Sequence, residues 1–497
     1  MDPKLIADLY SFIPELTVTG TLLLVILADL SLARIRRTLT FVVAAAGLLA
    51  AFAFTIPLFG AEPRSLFYGM IALDPMAVFF KAFLLLASLL VLLAAPGSSE
   101  LAKRQVGEFY ALLAGVTLGM MLLAASTDLL MLFLALETVS VGSYIMVGYL
   151  KNDRASNEAA LKYLLFGAVS SGAMLYGMTL LFGLTGTTKM SAIRDVLSGA
   201  AHPGGNALML LVATVLVIAG FGFKTAAVPF HFWCPDVYTG APTPVTAFLS
   251  VAPKAAGFAT LVRFFFTGLA ESHGVPPQWA TLVSINWMPI VMVLSIITMT
   301  FANIAALRQE NMKRLLAYSS IAHAGYMLMG ASVLSGDGLQ SVLVYLITYL
   351  FMNLGAFIIV IEIYNRTGSF ELKDYRGFSR RSPFLSVAMS IFLLSLMGIP
   401  PLAGFFGKFY VFAAAVNRNL VFLAVIGALN SVVAVYYYAR VMKAMVIDTG
   451  EETARVRVSW GNLALIWVML VPTVCLMLFW NPVQRLTSSS WHLFLGN

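Results

Sequence analysis

The sequence predicts an all-α polytopic membrane protein of about fourteen transmembrane helices, with two inverted five-helix repeats and discontinuous helices 7 and 12. Three observations predict it. Of the 497 residues, 60% are hydrophobic and only 11% charged, with a mean hydropathy of +0.89, against roughly 25% charged in a soluble domain. Apolar runs of about 18 residues or more, enough to cross a hydrocarbon core near 30 Å thick, recur along the whole chain. Two of the runs are overlong and contain helix breakers.

The runs are 13–33, 39–59 and 74–95 in a segment 1–100; 108–127, 129–150, 161–184, 207–235 and 241–266 in a segment 105–270; 284–306, 313–334, 339–364, 383–416 and 418–444 in a segment 280–445; and 461–481 in a segment 446–497. They lack the period-two alternation of barrel strands, and unsatisfied backbone is costly in lipid, so they are helices. The opening MDPKLIADLYSFIPELTVTG carries acids before an overlong apolar run and no small-residue cleavage site. It reads as a retained span, not a removed signal.

Orientation follows from the basic residues between the runs. One set of alternate loops holds 19 of them: Arg34, Arg36, Arg37, Lys103, Arg104, Lys151, Arg154, Arg308, Lys313, Arg314, Arg366, Lys373, Arg376, Arg380, Arg381, Arg440, Lys443, Arg455 and Arg457. The other set holds only Lys4, Arg64, Lys189, Arg194, Arg418 and Arg485. The first set is assigned to the cytoplasm, which places both termini on the opposite, periplasmic side. The net charge of +8 is therefore topology and not a nucleic-acid surface.

Run 207–235 as one helix would reach roughly 43 Å and run 383–416 roughly 51 Å, longer than a bilayer core requires. The first contains Lys224, Pro229 and His231; the second contains GIPPLAGFFGKF (398–409). An offset of 182 residues lays LETVSVGSYIMVG (136–148) on YSSIAHAGYMLMG (318–330), matching Tyr144 with Tyr326 and Gly148 with Gly330, and brings Lys224 within two residues of Lys408. That offset spans an odd number of helices, so the copies run in opposite directions.

Six basic residues remain inside the runs: Lys81, Lys162, Lys224, Lys254, Arg263 and Lys408. Lys81 and Arg263 stand near span ends and are expected to snorkel. Lys162, one turn after Glu158, suits either an i,i+4 pair or a functional role. Lys254 stands near mid-bilayer, where insertion costs about 2.5–3.5 kcal/mol, so it, Lys224 and Lys408 are assigned to function over structural ion pairing. Glu137, read as the one deeply buried acid, is their expected partner. His231 and His323 suit proton transfer as well as core hydrogen bonding. A lysine in lipid is switchable because desolvation and a nearby carboxylate act on its proton in opposite senses. A thousandfold change in proton affinity is about 4 kcal/mol, comparable with moving one charge through about 180 mV.

Other chemistry is not indicated. Cys234 and Cys475 sit in different spans and read as small hydrophobes. Five scattered histidines without HExxH or CxxC spacing make no metal motif. GFGFKT (220–225) and GFFGKF (404–409) miss the P-loop pattern, and no dinucleotide fingerprint is present.

The string FKTAAVPFHFWCPDVYTGAPTPVTAFLSVAPKAAGFA (223–259) resembles the signature of subunit N of proton-pumping NADH:quinone oxidoreductase, respiratory complex I, in the antiporter-like subunit family. ALETVSVGSYIMVGY (135–149), KYLLFGAVSSG (162–172), LLAYSSIAHAGYML (315–328) and GIPPLAGFFGKF follow in the order that family shows. The resemblance covers spans four to thirteen; the rest matches in hydropathy alone. It implies a hydrophilic axis of Glu137, Lys162, Lys224, Lys254 and Lys408, with His231 beside Lys224, and it favours function for Lys162. It implies no cofactor in this chain, with NADH, FMN, iron–sulfur clusters and quinone handled by other subunits. Expected neighbours are the antiporter-like subunit M and the small subunits K and J, besides membrane lipid, in a bacterial inner membrane. The rival readings are a subunit of a multisubunit cation/proton antiporter, which should lack PDVYTGAPTPVTAF, and a membrane scaffold, which has no use for a mid-bilayer lysine.

Overall fold

The computed structural model describes residues 3–31, 36–102, 106–199, 207–273, 278–450 and 458–495. Arg34, Lys103, Arg104, Arg455 and Arg457 of the basic loop set lie outside them.

Helices α1 (Pro3–Ser11), α2 (Ile13–Ser31) and α3 (Arg36–Thr55) precede an antiparallel hairpin of β1 (Arg64–Leu66) and β2 (Ile71–Leu73), after which come α4 (Pro75–Ala94) and α5 (Ser99–Ala102). Next are α6 (Val106–Ala125), α7 (Leu129–Val147), α8 (Arg154–Thr185), α9 (Met190–Gly199), α10 (Ala207–Thr225), α11 (Trp233–Gly240) and α12 (Thr243–Arg263). A second antiparallel hairpin, β3 (Ala270–His273) with β4 (Gln278–Thr281), leads to α13 (Met288–Ala306), α14 (Met312–Ser332) and α15 (Gly336–Thr367). The chain ends with α16 (Phe378–Arg381), α17 (Pro383–Met397), α18 (Ala403–Asn417), α19 (Val421–Val446), α20 (Trp460–Cys475) and α21 (Trp480–Ser490).

Many helix starts follow from a single side chain. Asp74, Asp128, Asp153, Asn311, Ser335 and Ser459 each accept a first-turn N–H of the helix they precede, satisfying a donor that lipid could not. Among the described residues, eleven helices are long and apolar enough to cross a membrane, or twelve if α20 and α21, bent by 89°, form one span. Of the fourteen predicted runs, 313–334 corresponds to α14, a 21-residue helix rich in polar groups, and 383–416 divides into α17 and α18, 15 residues each.

Several local structures recur 182 residues apart. Helices α8 and α15 are both 32 residues long, begin after Asp153 and Ser335, and end at Gly186 and Gly368. Those two glycines adopt φ +71° and +66°, a left-handed conformation that glycine takes without strain. Bridges Asp128–Lys189 and Asn311–Glu371, at nearly the same offset, then tie each helix's exit to the start of α7 and α14. Both overlong runs are interrupted: α10 stops at Thr225 and α11 begins at Trp233, while α17 stops before Gly398, at φ +86°, and α18 begins at Ala403.

At the centre stands α12, every residue of which is buried, packed against α4, α6, α10, α14 and α15. Helices α2 and α3 pack on α4 and α6.

Lys81 and Arg263 do not snorkel. Both are fully buried: Lys81 Nζ lies 2.6 Å from Glu15 Oε1, and Arg263 grips Asp74 through two bonds of 2.7 and 2.8 Å while Nε donates to the Ala124 carbonyl at 3.0 Å. The Lys81–Glu15 contact is charge pairing without hydrogen-bond alignment. Each cation finds its acid on another element, which run length could not reveal. Asp74 also caps α4 through Ala77 N–H (2.7 Å) and accepts Phe494 N–H (2.9 Å), so one carboxylate joins the N-terminal segment, α12 and the C-terminal tail.

Candidate functional site: a polar line through the core

Lys254 is in the middle of α12, directly after Pro253. Its side chain is buried and donates from Nζ to Ser320 Oγ on α14 at 2.6 Å. From there α14 carries the line. Ser319, Ser320, His323 and Tyr326 are spaced so that they share one helix face, and the six residue steps from Ser320 to Tyr326 span about 9 Å.

His323 is held at both ring nitrogens, Nδ1 to the Tyr345 hydroxyl at 2.6 Å and Nε2 to the Tyr438 hydroxyl at 3.2 Å. Tyr438 also bonds Ser319 at 2.5 Å, so hydroxyls from α15 and α19 converge on a single imidazole. At the far end, Lys408 Nζ stands 4.9 Å from the centroid of the Tyr326 ring and donates to the Met397 carbonyl at 2.7 Å. That carbonyl belongs to the last turn of α17, where helix geometry leaves acceptors open and favours a cation. The break in run 383–416 therefore supplies a seat for Lys408 in an otherwise apolar interior.

Lys224 occupies the last turn of α10, the first broken run. It is buried, and its Nζ has no hydrogen-bond partner among the described residues. A side chain at Gly257 of α12 would come within 3.2 Å of the Lys224 Cβ, so glycine there permits the close approach. His231 lies in the break itself, buried between Phe232 and Phe301 at ring distances of 4.5 and 4.7 Å, and its Nδ1 has no hydrogen-bond partner among the described residues.

Two expected members make no hydrogen bond into this line among the described residues. Glu137 is half-buried and not the one deeply buried acid; Glu15, Asp74 and Glu362 are more enclosed. It lines an open groove of about 530 Å³ between α7 and α8, with Phe133, Tyr144, Leu164 and Ser171; its buried Oε1 makes no hydrogen bond or ion pair with Lys224 among the described residues, although the two charges lie close enough to interact. The reason is helical phase: position 137 falls on the outer flank of α7. Lys162, 37% exposed, pairs with Glu158 and with Asp236 at 2.7 Å each, and Asp236 in turn holds Arg314 at 2.8 Å. Both readings of Lys162 thus survive, since the i,i+4 pair is present and a second acid from α11 joins it.

The tyrosines around His323, Ser320 and the Asp236 clasp escape the sequence reading. The α14 stripe is legible in LLAYSSIAHAGY, whereas Tyr345 and Tyr438 meet it only through packing. Lys313, assigned to a loop, is also corrected: it is buried, donates to the Ala241 carbonyl at 2.5 Å and faces the Phe370 ring at 4.5 Å. Helix α14 begins one residue earlier than the run suggests and carries Lys313 into the α11–α12 junction.

A family model described as "NADH:quinone oxidoreductase/Mrp antiporter, TM" matches residues 126–434. The chain is 45% identical over 502 aligned residues to NADH-quinone oxidoreductase subunit N of Anaeromyxobacter sp. (strain Fw109-5), covering 98% of this chain and 97% of the relative. A chain of respiratory complex I from Thermus thermophilus, solved with bound aureothin, is similar with a TM-score of 0.78 at 31% identity, covering 96% of this chain and all of that one. A chain of the Mrp complex from Dietzia sp. DQ12-45-1b gives a TM-score of 0.80 at 20% identity over 99% and 97% of the two chains, a likeness of fold alone. The chain belongs to the NADH:quinone oxidoreductase/Mrp antiporter family of membrane subunits, beside the subunit N proteins.

Proposed function

We propose that this chain is the subunit N component of a proton-pumping NADH:quinone oxidoreductase and carries protons across the membrane along its buried basic residues. Electron transfer from NADH to quinone, with FMN and iron–sulfur clusters, takes place in other subunits and drives the transfer. The observation that carries the reading is the α14 stripe: Ser320 accepts from Lys254, and Tyr326 faces Lys408, with His323 between them. A mid-bilayer ammonium placed against a titratable ring and a row of hydroxyls is arranged for proton exchange and not for passive packing.

In this reading the chain has fourteen spans, counting α14, the pair α17 and α18, and α20. Helices α10 with α11, and α17 with α18, are the discontinuous seventh and twelfth, in two inverted repeats at 105–270 and 280–445, flanked by 1–100 and 446–497. The 182-residue recurrence of caps and bridges supports the repeats. Lys162 with Asp236 serves proton entry, Glu137 and Lys224 form a pair that opens and closes, and His231, Lys254, His323 and Lys408 complete the path. The site is a bacterial inner membrane, with both termini periplasmic and subunits M, K and J as neighbours.

The test is proton pumping by vesicles carrying the Lys254→Ala complex, with NADH oxidation followed alongside. Loss of pumping per NADH oxidised is expected; full coupled pumping overturns the reading. The antiporter alternative has the Mrp-like fold in its favour. It gains if the chain purifies in a cation/proton antiporter assembly that oxidises no NADH.

A further inference from the structure

On the face opposite the basic loops, five separate stretches of chain close around a small polar pocket of about 220 Å³. Ser65 and Gly69 come from the first hairpin, Thr127 from the link between α6 and α7, Lys189 and Ser191 from the start of α9, Thr267 from the turn after α12, and Phe494 from the C-terminal tail. That volume holds a small ion with a few waters, each of which takes about 30 Å³. The polar groups say which charge the ion carries.

The pocket's formal charge is positive. Lys189 is the one ionisable side chain lining it, and Nζ makes no ion pair or hydrogen bond among the described residues. A side chain at Gly69, which adopts φ +95°, would come within 3.3 Å of that Nζ, so glycine lets the ammonium lie against the hairpin turn. The acids on adjoining elements are committed elsewhere. Asp128 accepts the Leu130 N–H at 2.8 Å and the Thr188 hydroxyl at 2.5 Å, and Asp74 is held by Arg263.

Around the lysine stand open donors. Thr267 is 1% exposed, and its buried Oγ1 hydrogen-bonds to no described residue. A buried hydroxyl without a partner is costly unless something outside the chain supplies one. Ser191 is the second residue of the ten-residue α9, and a helix N-terminus presents open N–H groups and partial positive charge. The Met190 N–H goes to the Thr127 carbonyl at 3.0 Å, which fixes this helix end beside the pocket and leaves the N–H groups of Ser191 and Ala192 without an acceptor among the described residues. The Ser65 and Ser191 hydroxyls likewise have no partner among them.

We propose that this pocket binds a tetrahedral oxyanion of the phosphate class, either free or as the phosphodiester of a lipid headgroup. Lys189 supplies the charge, Thr267, Ser191 and Ser65 donate from their hydroxyls, and the start of α9 adds its N–H groups. Such a set of donors around one ammonium matches phosphate oxygens. The bound anion ties the first hairpin and α9 to the end of α12. The inference rests on the fold and not on proton transfer, and none of these residues belongs to the polar line.

The test uses the purified assembly that contains this chain, stripped of lipid in detergent and dialysed against radiolabelled inorganic phosphate. Wild type should hold one more phosphate than Lys189→Gln, and Lys189→Arg should keep it. Thr267→Val should bind it about tenfold more weakly, as loss of a hydrogen bond to a charged group implies. Chloride at equal ionic strength should leave it in place. Nanodiscs of phosphatidylglycerol identify the source. Persistent phosphate binding there, with equal lipid counts in wild type and Lys189→Gln, means a free ion; loss of that phosphate, with one extra lipid in wild type, means a headgroup. Should the variants not assemble, tungstate, a dense tetrahedral oxyanion, should appear between Lys189 and Thr267 of the wild type by electron cryo-microscopy. Phosphate and lipid counts that are equal in wild type and Lys189→Gln, displacement by chloride, or no tungstate at the pocket overturns the proposal.

Discussion

Lys254 Nζ donates to Ser320 Oγ across the α12–α14 interface at 2.6 Å, and this is the one hydrogen bond the mid-bilayer lysine makes among the described residues. Ser320→Ala leaves a buried ammonium without an acceptor, a cost of about 1–3 kcal/mol. Proton pumping per NADH oxidised should fall several-fold while complex assembly persists, and Ser320→Thr should restore most of it. Vesicle acidification measured together with NADH oxidation checks this; unchanged pumping in Ser320→Ala removes Ser320 from the path.

His323 is gripped from two sides, so its two tyrosines are not independent. Tyr345→Phe and Tyr438→Phe should each weaken transfer by an amount corresponding to about 0.5–1.5 kcal/mol. The double variant should depart from additivity, as groups sharing one partner do. A double-mutant cycle on pumping rate measures the coupling; strict additivity would mean that the imidazole is not the shared element.

Lys408 closes the end of α17 as well as facing Tyr326. Lys408→Arg should keep the contact with the helix end, worth about 0.3–1 kcal/mol at a helix C-terminus, while lowering pumping, because a guanidinium does not release its proton. Lys408→Met should lose both. Thermal stability of the complex, compared with pumping, separates the two roles.

Arg263 and Asp74 form a fully buried pair remote from the polar line. Removing one partner, as in Arg263→Ala, should destabilise by about 3–5 kcal/mol and reduce assembled complex, whereas Asp74→Asn with Arg263→Met should recover part of the loss. Complex yield on native gels reports it, and the assembled fraction should pump with normal coupling.

Lys162 and Asp236 are both partly exposed, so their pair contributes at most about 1 kcal/mol to stability. Asp236→Asn should therefore leave assembly intact and slow pumping most when proton supply is limiting. Pumping measured across external pH tests this; a variant that fails to assemble would assign Asp236 to the fold.

Much of this protein is legible in its amino-acid sequence. The runs, the two breakers, the 182-residue offset and the α14 stripe depend on neighbours within one helix or on composition, and lipid allows few alternatives to a helix for an apolar run. The roles of individual charges are less legible. Depth along a span points Lys81 and Arg263 toward the lipid surface, because depth can be counted in residues and a partner on another helix cannot. Glu137 reads as buried because a run of apolar letters does not say which flank of a helix faces inward. Sequence alone determined the class of protein, the positions of its breaks and the residues worth suspecting. Tertiary structure alone decided which of them meet, because contacts between helices such as Lys254 with Ser320, His323 with Tyr438, or Arg263 with Asp74 depend on packing between segments far apart in the chain, and nothing in the local pattern records it.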